Sequence, residues 1–374
     1  MNSLKKERIG RYIDVLTDYH SNGSYESLKK NVKLLEQKDH AIMIRTLNFE
    51  RDDFVNNLIY VNKCAYEHLS KSKVYPNDIL TNKIANPGSI YIMPDLGCPV
   101  TCGMNLFLIR YNSEVNQRYM YYCMKNAEDY IKSLAHGTTT KTITKDDVRN
   151  IELLMHVDIT DQNRVEKILT TIDQVISLNK EICRIAEDFA SVVYMHLFFG
   201  KKSNGTIADI LIENEKSTIK VSDAKKGSGD IPFFTSGDAI LSWDTSMING
   251  RNLYLNTGGN ASVKFFVGET AYSTDTWSIT AKDDMQDYLY LLLHCIQEEI
   301  DTKYFHGTGL KHLQKQALKA KSIYIPSKEE LKSFNEYIQP MLTLVSKNYL
   351  ENQKLSKLRD WLLPMLMNGQ VTVK

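Results

Sequence analysis

The chain has little cysteine for its size, six among 374 residues. A chain this long can bury a sizeable core without staples, so sparse cysteines exclude a disulfide-framed secreted scaffold and fit a reducing cytoplasm. Cys98-Pro-Val-Thr-Cys102 is the only close pair, and neither a second pair nor a His-x-x-x-His stands beside it, so packing is favoured over metal binding. Long apolar runs are also missing. None reaches about 18 residues, and Met1–Arg11 is too polar for a signal peptide, so neither a membrane span nor a secretory leader is expected. Charge of one sign is absent too. The 46 Lys and Arg against 45 Asp and Glu leave a net charge of +1, so any nucleic-acid face must come from local clustering.

The usual catalytic signatures are lacking. There is no Gly-x-x-x-x-Gly-Lys-Ser/Thr loop for phosphates and no His-Glu-x-x-His for zinc. Asn86-Pro87-Gly88-Ser89 has the start of an adenine methyltransferase motif but lacks its second proline and the aromatic ring that stacks a flipped base. Gly258-Gly259 open no helix after a strand, which argues against a dinucleotide site. No cofactor is expected in this chain.

What is present is a long-period repeat. Residues 134–155 and 304–325 align without a gap, placing His136-Gly137-Thr138 over His306-Gly307-Thr308, Lys141 over Lys311 and Lys145 over Lys315 at an offset of 306 − 136 = 170. Solenoid repeats run to roughly 20–50 residues, so this period means two whole domains built alike. Each copy is followed by a helical pattern. Val165, Ile168, Ile172, Val175, Asn179, Ile182, Ala186, Phe189 and Val193 alternate in steps of three and four. After the second copy, Ile338, Met341, Val345, Asn348, Asn352, Leu355, Arg359 and Leu362 do the same. These are heptad seams, with Asn179 and Asn352 in matching positions where a polar residue fixes register. Ile172, Asn179, Ile182, Val345, Asn352 and Leu355 are therefore expected at a helix–helix contact. Apolar residues assigned to the outer faces, Ile176, Ile185 and Val192, argue against a solitary coiled coil.

The expected divisions are residues 1–155 and 201–326 as globular units, with helices over 156–200 and 327–374. Strands are expected at Ala41–Ile44, Ile90–Met93, Met104–Arg110 and Val263–Val267, and helical stretches at Gln117–Leu134 and Gln286–Ile300. Ile9-Gly10 and Ala208-Asp209 read as the strands leading into each unit. The first long helix should run from about Thr160 to Phe199 and break at Gly200. The second should start at the Ser327-x-x-Glu330 capping box, be kinked or begun by Pro340, and end at Pro364.

The loops suit nucleic acid better than chemistry. His136, Thr138 and Lys141, with His306, Thr308 and Lys311, supply hydroxyls, imidazoles and cations for phosphate oxygens. A capped helix start at Thr144 reads equally well for the first loop, and the two roles are compatible. Asn82, Lys83 and Asn86 cluster in one turn, and Asn256, Asn260 and Lys264 in another, with side chains that can read base edges, although each loop taken alone reads first as an ordinary solvated turn.

The order unit–helix–unit–helix, with Asn77–Lys83, Pro232–Gly237, both His-Gly-Thr segments and Leu358–Gly369, resembles the specificity subunit of type I restriction-modification enzymes over the whole chain. Asp161-Gln162 stands where that family's first helix begins with Glu-Gln. The resemblance implies an α+β fold of two α/β target-recognition domains, separated by two long α-helices forming an antiparallel coiled coil, in a pseudo-two-fold repeat. It implies a non-catalytic, cytoplasmic DNA-binding chain whose domains each read half of a split double-stranded target, with the coiled coil fixing the gap. It further implies two methyltransferase subunits that carry S-adenosylmethionine and methylate adenine, and translocase–nuclease subunits for restriction. The alternatives are a free-standing two-module DNA-binding protein without a methyltransferase partner, and an enzyme with a scattered active site.

Overall fold

The computed structural model describes residues 4–225, 229–371 and 373, so Met1, Asn2 and Ser3 at the polar start lie outside the described residues. The chain divides into two compact units, residues 1–174 with 355–374, and residues 175–354.

In the first unit a short antiparallel pair, Leu4–Arg8 with Glu152–His156, brings together the two ends of the globular part. Inside lie two sheets. One has the spatial order Ile13–Asp18, Leu106–Tyr111, Ile79–Asn82, Ile90–Ile92, all antiparallel. The other has the order Tyr60–Val61, Ala41–Ile44, Val100–Cys102, Lys73–Val74, and its central pair is parallel. Ala41-Ile42-Met43-Ile44 is buried at every position, the unbroken apolar run expected of a strand covered on both faces. Asn116 caps the helix Gln117–Asn126 by accepting from Tyr119 N–H at 2.8 Å. Its buried Tyr119, Met120, Cys123 and Met124 share a core with Val165 and Leu169 of the first long helix and Leu366 and Met367 of the second. Each such side chain contributes about 1.5–3 kcal/mol by leaving water. Gln162 is buried and pins the helix start, donating to His156 O at 2.8 Å and accepting from Asn116 N–H at 2.8 Å.

The second unit repeats the plan. Gly205–Thr206 pairs with Ser322–Ile323. A four-stranded antiparallel sheet runs Leu211–Glu213, Thr276–Ala281, Arg251–Asn256, Val263–Val267. A three-stranded sheet runs Ile240–Trp243, Ile231–Phe234, Ala271–Tyr272, with the last pair parallel. The helix Gln286–Cys295 buries Tyr288 to Leu293 without interruption, in a core with Tyr194, Phe198, Phe334 and Ile338 of the long helices. The two four-stranded sheets share one strand order, and their central pairs match in register: Asn82 lies opposite Leu106, and Asn256 opposite Thr276.

The long helices are Ile159–Phe198 and Lys328–Met367. Gly200, in a left-handed conformation at φ 79°, follows the first. Ser327 starts the second, accepting from Glu330 N–H at 3.2 Å while Glu330 accepts from Ser327 N–H at 2.8 Å. Within the second unit the helices run antiparallel: Asn179 Nδ2 donates to Asn352 Oδ1 at 3.0 Å and Asn352 Nδ2 to Ile176 O at 3.2 Å, while Cys183 meets Val345 farther on. Within the first unit Arg359 and Asp173 pair at 2.9 Å.

Several expectations are corrected. The seam phase on the first helix shifts by one residue at alternate positions. Leu169, Ile176 and Ala190 are buried, whereas Ile182 is 42% and Phe189 50% exposed. Neighbours three and four residues along share one helical face, so where both are apolar the pattern alone does not choose, and tertiary packing selected the fourth. Ile176 is thus a seam residue, not an outer one; Ile185 and Val192 are exposed. Ile9-Gly10 and Ala208-Asp209 begin short helical turns, Ile9–Tyr12 and Ile207–Ile210, rather than strands, since the pairing strands precede them. Both predicted helical stretches are broken, at Ala127 and at Ile296. Pro340 lies within the second helix, and that helix runs on from Pro364 to Met367 because a proline disturbs only the turn before it.

Candidate nucleic-acid interface

In each unit the two loops singled out by sequence meet. In the first, Ile84 bridges to Thr142 and Lys83 O accepts from Ile143 N–H at 3.0 Å, laying the Asn82–Ser89 turn beside the His136–Thr142 hairpin. In the second, Gly258 bridges to His312, Gly259 N–H donates to Lys311 O at 3.0 Å and Leu313 N–H to Thr257 O at 3.0 Å. The His-Gly-Thr repeat now has a physical reason. A Cβ on Gly137 would lie 2.4 Å from Thr140 O, and one on Gly307 would lie 2.4 Å from Leu310 O, so the hairpin closes only with glycine. His136, Thr138 and Lys141 are exposed on the first hairpin, and His306 and Thr308 on the second. His136 Nε2 sits 2.8 Å from Asp147 Oδ2, and Asp147 closes a capping box with Thr144. Lys141 carries no ion pair among the described residues, whereas Lys311 lies 3.3 Å from Asp301.

The turn residues separate into two kinds. Asn86 and Asn260, at matching tips, are exposed. Asn82 is fully buried; its Oδ1 accepts from Thr46 Oγ1 at 2.6 Å and its Nδ2 donates to Tyr91 Oη at 3.3 Å. Asn256, also buried, donates to the carbonyls of Gly258 and Asn260 and accepts from Ser262 N–H at 2.7 Å. Both amides are spent holding their turns, so base contact by Asn82 or Asn256 conflicts with this packing. Lys83 and Lys264 are likewise engaged. Lys83 lies 2.8 Å from Asp18, and Lys264 donates to the carbonyls of Thr235 and Gly237, while its burial lowers its pKa. Sequence reasoning missed the centre that holds the first turn. Asp18 takes Lys83, Lys145 at 3.2 Å and the Ser21 hydroxyl at 2.6 Å. Asp18 ends one strand and Lys83 follows another, on either side of Leu106–Tyr111, and Lys145 starts a short helix, so these residues meet only in the fold and no local pattern announces them. Of the helix-contact residues, Ile172 is buried in the first unit, Leu355 and Val345 are half-buried, Asn179 meets Asn352, and Ile182 turns outward.

Among the described residues no three His, Cys, Asp or Glu side chains gather where they could hold a metal ion. No helix among them is long and apolar enough to cross a membrane.

A family model described as the type I restriction modification DNA specificity domain matches the chain twice, over residues 27–185 and 200–359. The chain is 21% identical over 324 residues to the type I restriction enzyme MjaIX specificity subunit of Methanocaldococcus jannaschii, covering 74% of each chain. It is 22% identical over 315 residues to the MjaVIII specificity subunit of the same organism, covering 70% of this chain and 72% of that one. Among solved structures it is similar to the S subunit of a type I restriction-modification system from M. genitalium, with a TM-score of 0.64 and 15% identity over 97% of this chain and 96% of that one. At that identity the likeness shows the fold alone.

Proposed function

The chain belongs to the type I restriction modification DNA specificity family, whose role is DNA sequence recognition, and from that premise we propose how this chain performs it. Each unit reads one half of a bipartite double-stranded target through the face formed by its turn and its His-Gly-Thr hairpin. The observation that carries this reading is the duplication: one loop pair is built at the same topological place in both units, with exposed Asn86 or Asn260 at its tip and different side chains around it. Exposed hydroxyls, imidazoles and Lys141 suit phosphate contacts that fix register, while the variable tips suit base edges.

The chain itself does no chemistry in this reading. S-adenosylmethionine and the methylation of adenine belong to two methyltransferase subunits, and restriction belongs to translocase–nuclease subunits. A free-standing regulator is disfavoured by the first long helix, which leaves Leu178, Ile182, Ile185, Phe189 and Val192 exposed in steps of four and three. An unpartnered apolar stripe of that kind marks a protein contact, and we assign it to the methyltransferase.

The test is co-expression with the methyltransferase subunit, followed by sequencing of methylated DNA. A split motif, methylated only when both proteins are present, is expected. Ile185→Glu with Val192→Glu should abolish co-purification while leaving the melting temperature of the chain unchanged. Methylation by the chain alone would refute the assignment.

A further inference from the structure

The first unit contains a cavity of about 300 Å³ that the loops described above do not explain. Its walls are mostly apolar, with Leu47 and Met104 at an exposed lip, and its charged groups are Arg45 and Glu50. Arg45 follows the buried strand Ala41–Ile44 directly. Gly103 packs against the end of that strand, its N–H donating to Ile44 O at 2.8 Å, and a Cβ there would lie 2.5 Å from the same oxygen. One end of the guanidinium is fixed, since Nη2 donates to Asn57 O at 2.8 Å. Its Nε–H is buried with no partner among the described residues. Unpaired buried donors are uncommon in native proteins and call for a functional explanation.

Two residues of the cavity's wall are hydrogen-bonded to the base of the turn that carries Asn86. Thr46, on its wall, donates to Asn82 at 2.6 Å, and Asn105, also on its wall, accepts from Lys83 N–H at 2.8 Å. We propose that Arg45 is a specificity-determining residue of the first unit, donating to the paired acceptors of a guanine in the half-site which that unit reads. The inference rests on the DNA-recognition reading given above. A phosphate is the poorer occupant, because Glu50 repels it and the lip is apolar. A guanine edge presents O6 and N7 to a guanidinium fork, the commonest specific contact in the major groove, and an apolar lip suits a neighbouring thymine methyl. The corresponding place in the second unit, one residue past the strand Ile231–Phe234, holds Thr235, and Lys264 ties that loop down. The second half-site therefore lacks this contact.

The experiment uses the full chain co-expressed with its methyltransferase subunit, with methylated motifs read by sequencing and cognate binding measured by titration. Arg45→Ala should lower cognate affinity roughly ten- to a hundredfold and relax one guanine position in one half-site, leaving the other half unchanged. Arg45→Lys, which keeps the charge but loses the fork, should relax the same position, and it decides the matter if Arg45→Ala fails to fold. An unchanged motif, or equal weakening on every sequence, overturns the role of Arg45. A wild-type complex with no split motif would instead overturn the underlying reading.

Discussion

At the scale of single residues, the first unit's turn depends on one carboxylate. Burial alone would push the Asp18 carboxyl up, but hydrogen bonds from Lys83 and Ser21, and the nearby charge of Lys145, outweigh it and hold the group at about 2 against an ordinary 3.8. A depressed carboxyl stabilises the fold above its unfolded pKa and loses that contribution as pH falls through its folded pKa. Asp18→Asn should therefore cost about 2 kcal/mol at pH 6. The gap between wild type and variant should shrink to about half by pH 3. Urea unfolding at several pH values measures this, and a gap independent of pH would show that the ion pairs are not what holds the turn. Lys83→Ala is expected to act through the same centre, as a loss of stability rather than a change of sequence preference. Lys141 is the contrasting case. Exposed and without an ion pair among the described residues, it should on replacement by Ala weaken binding to all sequences alike and reduce the salt slope by about one. Lys311→Ala should do less, because Asp301 already neutralises Lys311. Equal slopes for both variants would argue against Lys141 as a phosphate contact. The sequence located the loops but could not rank their side chains. Asn82 and Asn86 look alike in a string of letters, and only the fold shows one buried against Thr46 and the other exposed.

At the scale of elements, the heptad rhythm was legible and its phase only half so. The positions at Ile172, Asn179 and Asn352 follow from the spacing, and the asparagines do meet. The alternate positions do not follow, because Val175-Ile176 offers two adjacent apolar residues to one face and Ile182-Cys183 sets the larger one outside. This makes the inner and outer roles separable. Ile176→Ala removes a buried side chain and should cost about 2–4 kcal/mol. Ile182→Ala removes an exposed one and should stay within about 1 kcal/mol. Thermal or denaturant unfolding of the two variants compares them directly, and similar losses would mean that both residues are buried in solution. The strands were read only in part. Ala41–Ile44 and Val263–Val267 match their expected bounds, and Leu106–Tyr111 starts two residues late, after Gly103 N–H has bonded to Ile44 O. The six-residue strands Ile13–Asp18, Arg251–Asn256 and Thr276–Ala281 were not anticipated, because their mixed polar and apolar residues give no clean alternation, and edge strands of two residues, such as Lys73–Val74, carry no period at all.

At the scale of the whole molecule, the 170-residue repeat was the strongest statement in the sequence, and it reported topology before any element was drawn. The hairpins, short helices and paired sheets recur in the same order, while the cavity at Arg45 in one unit gives way to Thr235 and Lys264 in the other. Shared framework and loop placement with different side chains around the loops is the arrangement expected if the units read independent half-sites. The second globular part is delimited by a strand pair, Gly205–Thr206 with Ser322–Ile323, so its two ends leave the sheet side by side. Residues 201–326 can therefore be exchanged as a block for those of a relative without cutting either long helix. The chimera, co-expressed with the methyltransferase subunit, should fold and direct methylation to a motif in which one half has changed and the other has not. Sequencing of methylated DNA reads both halves at once. A motif altered in both halves would mean that the units do not read separately, and a repeat of framework would then not be a repeat of function.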